Sequence, residues 1–318
     1  MQTLIDFDDA RVFALPVRDP LGGPTTVEGM LVEGPQGWGE FSPPPGADGP
    51  ELARWLTAAT EPGTIGWPDP VRGRVPVAAS VPAVAAARAR EIVRAAGCGT
   101  ADVEVGDPAG SLADDVARVA AVRDALGSTG GVRCDARGRW EPAYAVTAIA
   151  ALEEAAGVLE FVARPCPDLA QIAWVRARVA VPIAADADAA VQTMREAVDI
   201  AVLRCGRLGG ARRALRIAEL SGLPCVVASD ALTSIGVAAG LALAGALPEL
   251  PFAGALGTRL LRTGDLVAEA RSLIPVDGTL PVAPMPPAPA AEFLELYTVS
   301  DPARIHRWRE VIGSAIAQ

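Results

Sequence analysis

The sequence of 318 residues has no lysine, and all 28 of its basic side chains are arginines. A guanidinium stays protonated at every working pH, so arginine does not supply the neutral amine that removes a proton or forms a Schiff base. The absence of lysine therefore excludes enzymes that depend on a lysine base, a Schiff-base lysine or the lysine of a phosphate-binding loop.

Histidine is almost as scarce. The single histidine is His306, which lies beside Trp308 in a C-terminal segment with a helical pattern, and we interpret it as a surface or packing residue. Catalysis by a Ser-His-Asp or Cys-His arrangement needs a histidine next to the nucleophile, and many zinc sites use histidine. The sequence argues against both kinds of site.

Cysteine pairs with a metal-binding or redox spacing are also missing. The five cysteines are Cys98, Cys134, Cys166, Cys205 and Cys225. Their odd number, the lack of a CxxC spacing and the place of four of them in or beside apolar runs predict buried, reduced thiols in a cytoplasmic protein. The longest apolar run, 235–247, is too short to span a bilayer and contains glycines, so we predict a buried helix there.

A basic surface is absent too. The formal net charge is −10 at pH 7, whereas a nucleic-acid-binding protein needs a basic stripe to neutralise phosphates. The same acidic balance disfavours a surface for anionic lipid. We therefore expect neither nucleic acid nor a membrane as a partner, and a small-molecule substrate instead.

The composition and apolar pattern of the chain change at two points. Residues 1–74 are rich in glycine and proline, with short strands and one helix, which is typical of an α+β lobe. Residues 75–273 alternate short apolar runs with Ala/Arg-rich helical stretches. Residues 274–318 begin with a proline-rich stretch, which is consistent with a linker and equally with a strap, and we expect a strap that returns to the first lobe.

The middle segment repeats a strand and a helix seven times. Candidate strands are 75–79, 101–105, 132–136, 159–163, 182–185, 200–205 and 225–229, and candidate helices are 83–96, 112–126, 142–155, 169–179, 189–198, 211–220 and 234–246. The strands are apolar on both faces, as parallel strands under helices are. This alternation predicts a (β/α) barrel. An open doubly wound sheet is the alternative, but residues 79–82 lack its glycine-rich first turn.

Polar residues close several of these apolar strands, at the end where barrels carry their active sites. They are Asp102, Glu104, Asp135, Arg164, Asp186, Asp188, Arg204, Ser229 and Asp230. Asp102 and Glu104 are two apart and so share one face of a strand. We interpret Asp188 and Asp230 as helix N-caps. For Asp135 and Asp186, a ligand role and a structural role are both open.

Several blocks in a fixed order resemble the o-succinylbenzoate synthases of actinobacteria, which belong to the enolase superfamily. The blocks include RVFALPV (11–17), GPQGWGEFSP (34–43), VRCDARGRW (132–140), FVARPCPDL (161–169), VPIAADAD (181–188) and GALGTRLL (254–261). The resemblance implies an α+β capping domain on a modified (β/α)7β barrel. It also implies a carbon–oxygen lyase of menaquinone biosynthesis that dehydrates a cyclohexadiene carboxylate to o-succinylbenzoate.

The family holds Mg²⁺ with three carboxylates at the ends of the third, fourth and fifth barrel strands. Asp135 matches the first of these positions and Asp186 the third, but the second falls on Ala163. Mg²⁺ normally needs more oxygen donors than two carboxylates supply. The resemblance thus implies a magnesium site from Asp135 and Asp186, with Glu104 as a possible third carboxylate.

The family also moves protons with a KxK pair on the second strand and a lysine on the sixth. The pair falls on Asp102 and Glu104, and the sixth-strand lysine falls on Arg204. An asparagine usual after the third-strand aspartate is replaced by Arg137. We take Asp102, Glu104 and Arg204 as the catalytic candidates, and Arg137 and Ser229 as substrate-binding candidates.

Three functions are open at this point. The first is the family reaction, with Glu104 as base and Arg204 stabilising the enolate. The second is a metal-independent enzyme of secondary metabolism that uses Glu104 or Asp102 for acid–base chemistry. The third is a non-catalytic protein in which Arg204 forms ion pairs with the crowded carboxylates. Without a metal, mutual repulsion in that cluster should raise at least one pKa.

Overall fold

The computed structural model describes residues 5–22, 25–187 and 191–318. An antiparallel sheet of β1 (Arg11–Pro16), β2 (Thr26–Gly34) and β3 (Gly37–Phe41) begins the chain, and α1 (Gly49–Thr64) follows it. A tight turn joins β2 to β3, because Gly34 pairs with Gly37 across the hairpin.

Eight parallel strands form the second lobe. They are β4 (Arg74–Val81), β5 (Thr100–Glu104), β6 (Gly131–Asp135), β7 (Val162–Ala163), β8 (Ile183–Asp186), β9 (Ile200–Leu203), β10 (Cys225–Val227) and β11 (Gly254–Gly257). Consecutive strands pair from β4 to β10, and β11 pairs with β4. A bridge between Ala228 and Ala255 joins the two ends of the row, so the sheet closes into a barrel. This closure confirms the predicted barrel and excludes the open sheet.

Helices connect these strands on the outside of the barrel. They are α2 (Ala86–Ala96), α3 (Leu112–Leu126), α4 (Pro142–Ala156), α5 (Leu169–Arg176), α6 (Val191–Ala197), the short α7 (Cys205–Leu208), α8 (Ala211–Ser221) and α9 (Ser234–Ala246). Local chemistry sets several ends: Ser111 and Asp114 form a capping box at the start of α3, and Gly97 ends α2 in the left-handed conformation. The seven predicted helices are confirmed to within a few residues, except that the predicted start of the helix 189–198 lies outside the described residues.

Helix α9 is apolar on nearly every side and is buried along most of its length. It is the helix predicted for the long apolar run. Within the described ranges, no helix is both long enough and apolar enough to cross a membrane. Its apolar surface is accounted for by packing against the barrel and the first lobe.

The last segment touches both lobes. Two 3₁₀ turns, Arg259–Leu261 and Glu269–Arg271, precede β12 (Thr279–Pro281). This strand pairs antiparallel with the first residues of β4, at the amino-terminal end of the barrel strands. Helices α10 (Ala291–Tyr297) and α11 (Pro302–Ile316) then pack on β1 and α1 of the first lobe. Glu28 of β2 accepts hydrogen bonds from Arg304, Arg307 and Trp308, which fix α11 over the first lobe.

Candidate active site

A cavity of about 690 Å³ lies between the first lobe and the carboxyl ends of the barrel strands. We call the barrel part of it, the ends of β4–β10 with the residues that follow them, the mouth. The mouth residues that line the cavity are Ser80, Asp102, Glu104, Asp135, Arg137, Arg204, Arg207, Ser229 and Asp230. Leu21, Leu52, Pro43 and Trp308 supply apolar walls from the first lobe and α11. The predicted catalytic and substrate-binding candidates therefore share one enclosed space.

Strand alternation brings the acidic side chains together. Asp102 pairs with Arg133, and Glu104 pairs with Asp135, in the register of β5 and β6. Residues two apart on a strand share a face, so all four point into the barrel. The intervening Val103 faces outward and packs in the layer under the helices.

Glu104 is almost completely buried and fully engaged. It accepts hydrogen bonds from the Gly22 backbone N–H at 2.9 Å and from Arg139 at 3.0 Å, and the Arg137 Nε lies 3.3 Å away. The first-lobe loop at Gly22 thus closes directly onto the second barrel strand. Because its oxygens already accept from Gly22 and Arg139 and lie against the charge of Arg137, Glu104 has little capacity left to act as a metal ligand or as a base.

Arg164 joins the aspartates at the ends of the third and fifth barrel strands. Its Nε donates to Asp135 Oδ1 at 3.0 Å, its Nη2 donates to Asp135 Oδ2, and its Nη1 lies 3.3 Å from Asp186 Oδ2. Burial alone would raise the pKa of Asp135, but the Arg164 guanidinium outweighs it and holds that pKa well below its usual range.

Arg204 continues the chain of ion pairs to the other side of the mouth. Its Nε donates to Asp186 at 2.8 Å and its Nη1 donates to the Ser229 carbonyl at 3.0 Å, with Asp230 at 3.5 Å. Burial alone would raise the pKa of Asp186, but Arg204 and Arg164 together lower it. The ion pairing predicted for Arg204 is therefore present.

Asp230 does not cap a helix, which corrects the predicted role. The N-cap of α9 is Thr233, whose side chain accepts from Ile235 N. Asp230 faces Arg204 instead, with Arg207 at 4.0 Å. A guanidinium is a stronger partner for a half-buried carboxylate than a helix end three residues away. The other predicted cap, Asp188, lies outside the described residues.

Asp102 differs from its neighbours because no cation in the described part of the chain donates a hydrogen bond to it. The Arg133 Nε lies 3.8 Å from Asp102 Oδ2, and Asp102 Oδ1 is buried without a hydrogen-bond partner among the described residues. Burial raises the pKa of Asp102 by more than the charge of Arg133 lowers it, and the charge of Asp135 raises it further. The predicted upward shift in the cluster therefore falls on this residue, with burial rather than repulsion as its main cause.

The residues of the mouth do not fit a magnesium ion. Asp135 and Asp186 both bind Arg164, and the residue between them in the strand order is Ala163, which has no oxygen on its side chain. Mg²⁺ needs near-octahedral oxygen coordination. Over residues 5–22, 25–187 and 191–318, no group of three acidic, histidine or cysteine side chains is placed to hold a metal. Glu104, the suggested third carboxylate, is held by its own donors.

Most of the mouth residues can be identified from the sequence, but several of the ion pairs between them cannot. Arg164 was noted only as a polar strand end, and Arg139 and Arg207 were not noted at all. Arg137 and Arg164 both have left-handed backbones, with φ of 54° and 49°, which is uncommon outside glycine. No residue type in the sequence signals these backbone conformations, so the directions in which the two arginine side chains point could not be predicted.

The chain matches two family models. "Enolase N-terminal domain-like" matches residues 12–62, and "Enolase C-terminal domain-like" matches residues 84–286. Proteins named o-succinylbenzoate synthase are similar over most of their length. The Thermobifida fusca protein is 50% identical, with 86% of each chain covered, and the Mycobacterium tuberculosis protein is 43% identical, with 95% of this chain and 91% of that protein covered.

Solved structures with the same fold are more distant in sequence. Muconate lactonizing enzyme from Pseudomonas fluorescens, in complex with muconolactone, superposes with a TM-score of 0.75 at 20% identity, covering 91% of this chain and 98% of that one. N-succinyl Arg/Lys racemase from Bacillus cereus gives a TM-score of 0.74 at 18% identity, covering 91% and 96%. These structures share the architecture of a capping lobe on a closed barrel.

Proposed function

Since this chain belongs to the o-succinylbenzoate synthase family of the enolase superfamily, we propose that its cavity binds a small cyclic or aromatic carboxylate of the o-succinylbenzoate type. We propose further that it does so without lysine- and metal-dependent dehydration. The observation that carries both statements is the pairing of Glu104, Asp135 and Asp186 with arginines beneath a cavity that remains open.

The size and lining of the cavity support this class of ligand. Small-molecule sites usually measure about 300–1,000 Å³ and combine apolar walls with a few placed polar groups. Here the apolar walls come from Leu21, Leu52 and Trp308, which suit the flat body of a cyclic compound. The cavity is therefore large enough for a ring with a carboxylate side chain.

Arg137 and Arg207 supply the positive charge that a carboxylate needs. Both line the cavity. The Nε of Arg137 lies 3.3 Å from Glu104, and Arg207 lies 3.9 Å from Glu51 and 4.0 Å from Asp230, in each case without hydrogen-bonding geometry. Neither guanidinium donates a side-chain hydrogen bond to a residue in the described part of the chain. A bound carboxylate would accept from these donors and form charge-assisted hydrogen bonds.

Proton abstraction is the step that the mouth does not support. The chain has no lysine, and the arginine pairs hold the pKa values of Asp135 and Asp186 low, which makes both poor bases. A general base works best with a pKa near the operating pH. We infer that the family scaffold is used here for binding.

We also propose a cytoplasmic location for the protein, since its five cysteines are free, buried thiols.

Calorimetric titration with o-succinylbenzoate tests the proposal. We expect binding that is unchanged by EDTA and that weakens roughly tenfold or more in Arg137→Gln and Arg207→Gln, because each loses a charge-assisted hydrogen bond. The exposed Arg94→Gln is the matched control and should bind as the parent does. Turnover of the cyclohexadiene precursor in the presence of Mg²⁺, or no binding at all, would contradict the proposal.

Acid catalysis by Asp102 is the second candidate function. Asp102 lines the cavity, has an unpaired buried oxygen and has a raised pKa caused by burial. A carboxylic acid kept protonated in this way can donate a proton to a substrate. Substrate screening would support this function if it finds an activity that EDTA leaves intact and that Asp102→Asn abolishes. Glu104→Gln is the comparison variant, which tests whether the neighbouring carboxylate carries that activity instead.

A further inference from the structure

Two aspartates and one arginine form a closed unit under the floor of the cavity. Asp135 lies at the end of β6 and Asp186 at the end of β8, with the short strand β7 between them. Arg164 follows β7 directly and contacts both carboxylates, in a bidentate pair with Asp135 and a single contact with Asp186. Both aspartates therefore already share one cation, which the chain itself provides.

The backbone is bent to bring this arginine inward. Ala163 faces the barrel interior, where it packs with Phe161 and Ala184, so a regular strand would point residue 164 outward. The left-handed φ of 49° at Arg164 reverses that direction. Two hydrogen bonds hold the bend: Arg164 N donates to the Ala184 carbonyl at 2.8 Å, and Gly138 N donates to the Arg164 carbonyl at 2.6 Å.

We propose that the Arg164 guanidinium is the permanent cation of the mouth, in the place between Asp135 and Asp186 that a divalent ion would fill, so that ligand binding needs no metal. This inference rests on the proposed function for its ligand, but its cation site stands on the geometry alone. A left-handed backbone outside glycine costs free energy, and here the ion pairs with the two aspartates offset that cost.

The charge arithmetic of the unit supports this assignment. Asp135 and Asp186 carry two negative charges, and Arg164 and Arg204, which bind them, carry two positive charges. Asp230 also contacts Arg204, and its charge is balanced by Arg207 at 4.0 Å. A divalent ion added to this neutral group would lack both charge compensation and oxygen donors. The neutral group has a further effect, because Asp135 lines the cavity floor and would otherwise repel a bound carboxylate.

The substitution that tests the proposal removes the internal cation and adds an oxygen donor. Ala163→Glu with Arg164→Gln places a third carboxylate on β7 beside Asp135, its neighbour in register. Calorimetric titration with Mg²⁺ alone should give no binding heat for the parent chain, and binding in the double variant that is at least roughly tenfold tighter than in Arg164→Gln alone. Thermal unfolding gives a second readout: Mg²⁺ should raise the midpoint of the double variant only.

Arg164→Gln alone is the matched control, since it removes the cation without adding a donor, and it should bind Mg²⁺ more weakly than the double variant. Stoichiometric Mg²⁺ binding by the parent chain would overturn the proposal even if the double variant fails to fold. A folded double variant with no gain in Mg²⁺ binding would overturn it as well. Because no organic ligand enters these titrations, failure of the proposed function leaves their outcome unaffected.

Discussion

Buried carboxylates occur in two regions of the molecule and are stabilised in different ways. At the seam between the lobes, Glu40 of β3 accepts from Thr233 N and Gly236 N at the start of α9, and Glu61 of α1 accepts from Ala211 N at the start of α8. In the mouth, Asp135, Asp186 and Glu104 each accept from an arginine side chain, and Glu104 accepts from the Gly22 backbone as well. The seam thus uses neutral donors, which for Glu40 include the hydroxyls of Thr233 and Ser42, whereas the mouth uses side-chain cations.

The pKa directions follow from this difference. Burial raises the pKa of Glu40 and of Glu61, because the hydroxyl and backbone donors around them compensate only part of the lost hydration. Guanidinium groups lower the pKa of Asp135 and of Asp186 despite similar burial. The first turn of any helix has free N–H groups, so a single glutamate at the seam finds its hydrogen-bond donors there. A carboxylate in the mouth needs a matching arginine on a neighbouring strand or loop.

The largest expected effect comes from breaking a pair in the mouth. Arg164→Met leaves Asp135 and Asp186 without their shared cation, and we expect the free energy of unfolding to fall by about 3 kcal/mol. This is the low end for a buried pair, since Arg164 is 15% exposed. Urea unfolding at neutral pH measures the change.

The exposed pair of Arg90 and Asp124 provides the control for that experiment. Arg90→Met should change the free energy of unfolding by less than about 1 kcal/mol, because solvent screens surface ion pairs. Adding Asp135→Asn to Arg164→Met should restore part of the loss, since it removes an unpaired buried charge. Equal unfolding midpoints for Arg164→Met and Arg90→Met would contradict the assignment.

A smaller effect is expected at the seam, where pH sharpens the comparison. Glu61→Gln should cost about 1–2 kcal/mol at neutral pH, because an amide caps α8 less well than a carboxylate. The lowered pKa of Asp186 gives stability that is present above its unfolded pKa and is lost as pH falls towards its folded pKa. The raised pKa of Glu61 acts in the opposite sense, so its contribution decreases as pH rises through the acidic range.

Urea unfolding between about pH 3 and neutral pH should therefore separate the two regions. Relative to the parent chain, Asp186→Asn should flatten the rise of stability with pH, and Glu61→Gln should steepen it. Glu33→Gln, at an exposed position on β2, should leave the profile unchanged. If Asp186→Asn and Glu61→Gln change the slope of stability against pH in the same direction, the two regions do not differ in the direction of their pKa shifts.

The smallest effect on stability is expected at Arg137. Arg137→Gly relieves a left-handed backbone, worth about 1 kcal/mol, but it also increases the conformational freedom of the unfolded chain by a similar amount. We expect a net change in unfolding free energy below about 1 kcal/mol together with a clear loss of o-succinylbenzoate affinity. A variant that loses stability but keeps its affinity would place Arg137 among the structural arginines.

The sequence was sufficient for the barrel because its strands are apolar runs separated by helices of regular length. It was insufficient for β11, whose four residues include Gly254 and Gly257 and carry little strand signal. The acidic members of the mouth were also predictable, since strand alternation and register bring Asp102, Glu104 and Asp135 together. Their arginine partners were not, because long side chains reach across strands in ways that residue order does not determine.

The five cysteines have a practical consequence for work on this chain. All five are free and buried, and burial raises the pKa of Cys98 and of Cys166 to about 11. Thiols of this kind react with alkylating reagents only when the surrounding core opens. Each therefore reports on its own part of the molecule, so that the rate of alkylation, read residue by residue by mass spectrometry, would map how far the barrel opens cooperatively.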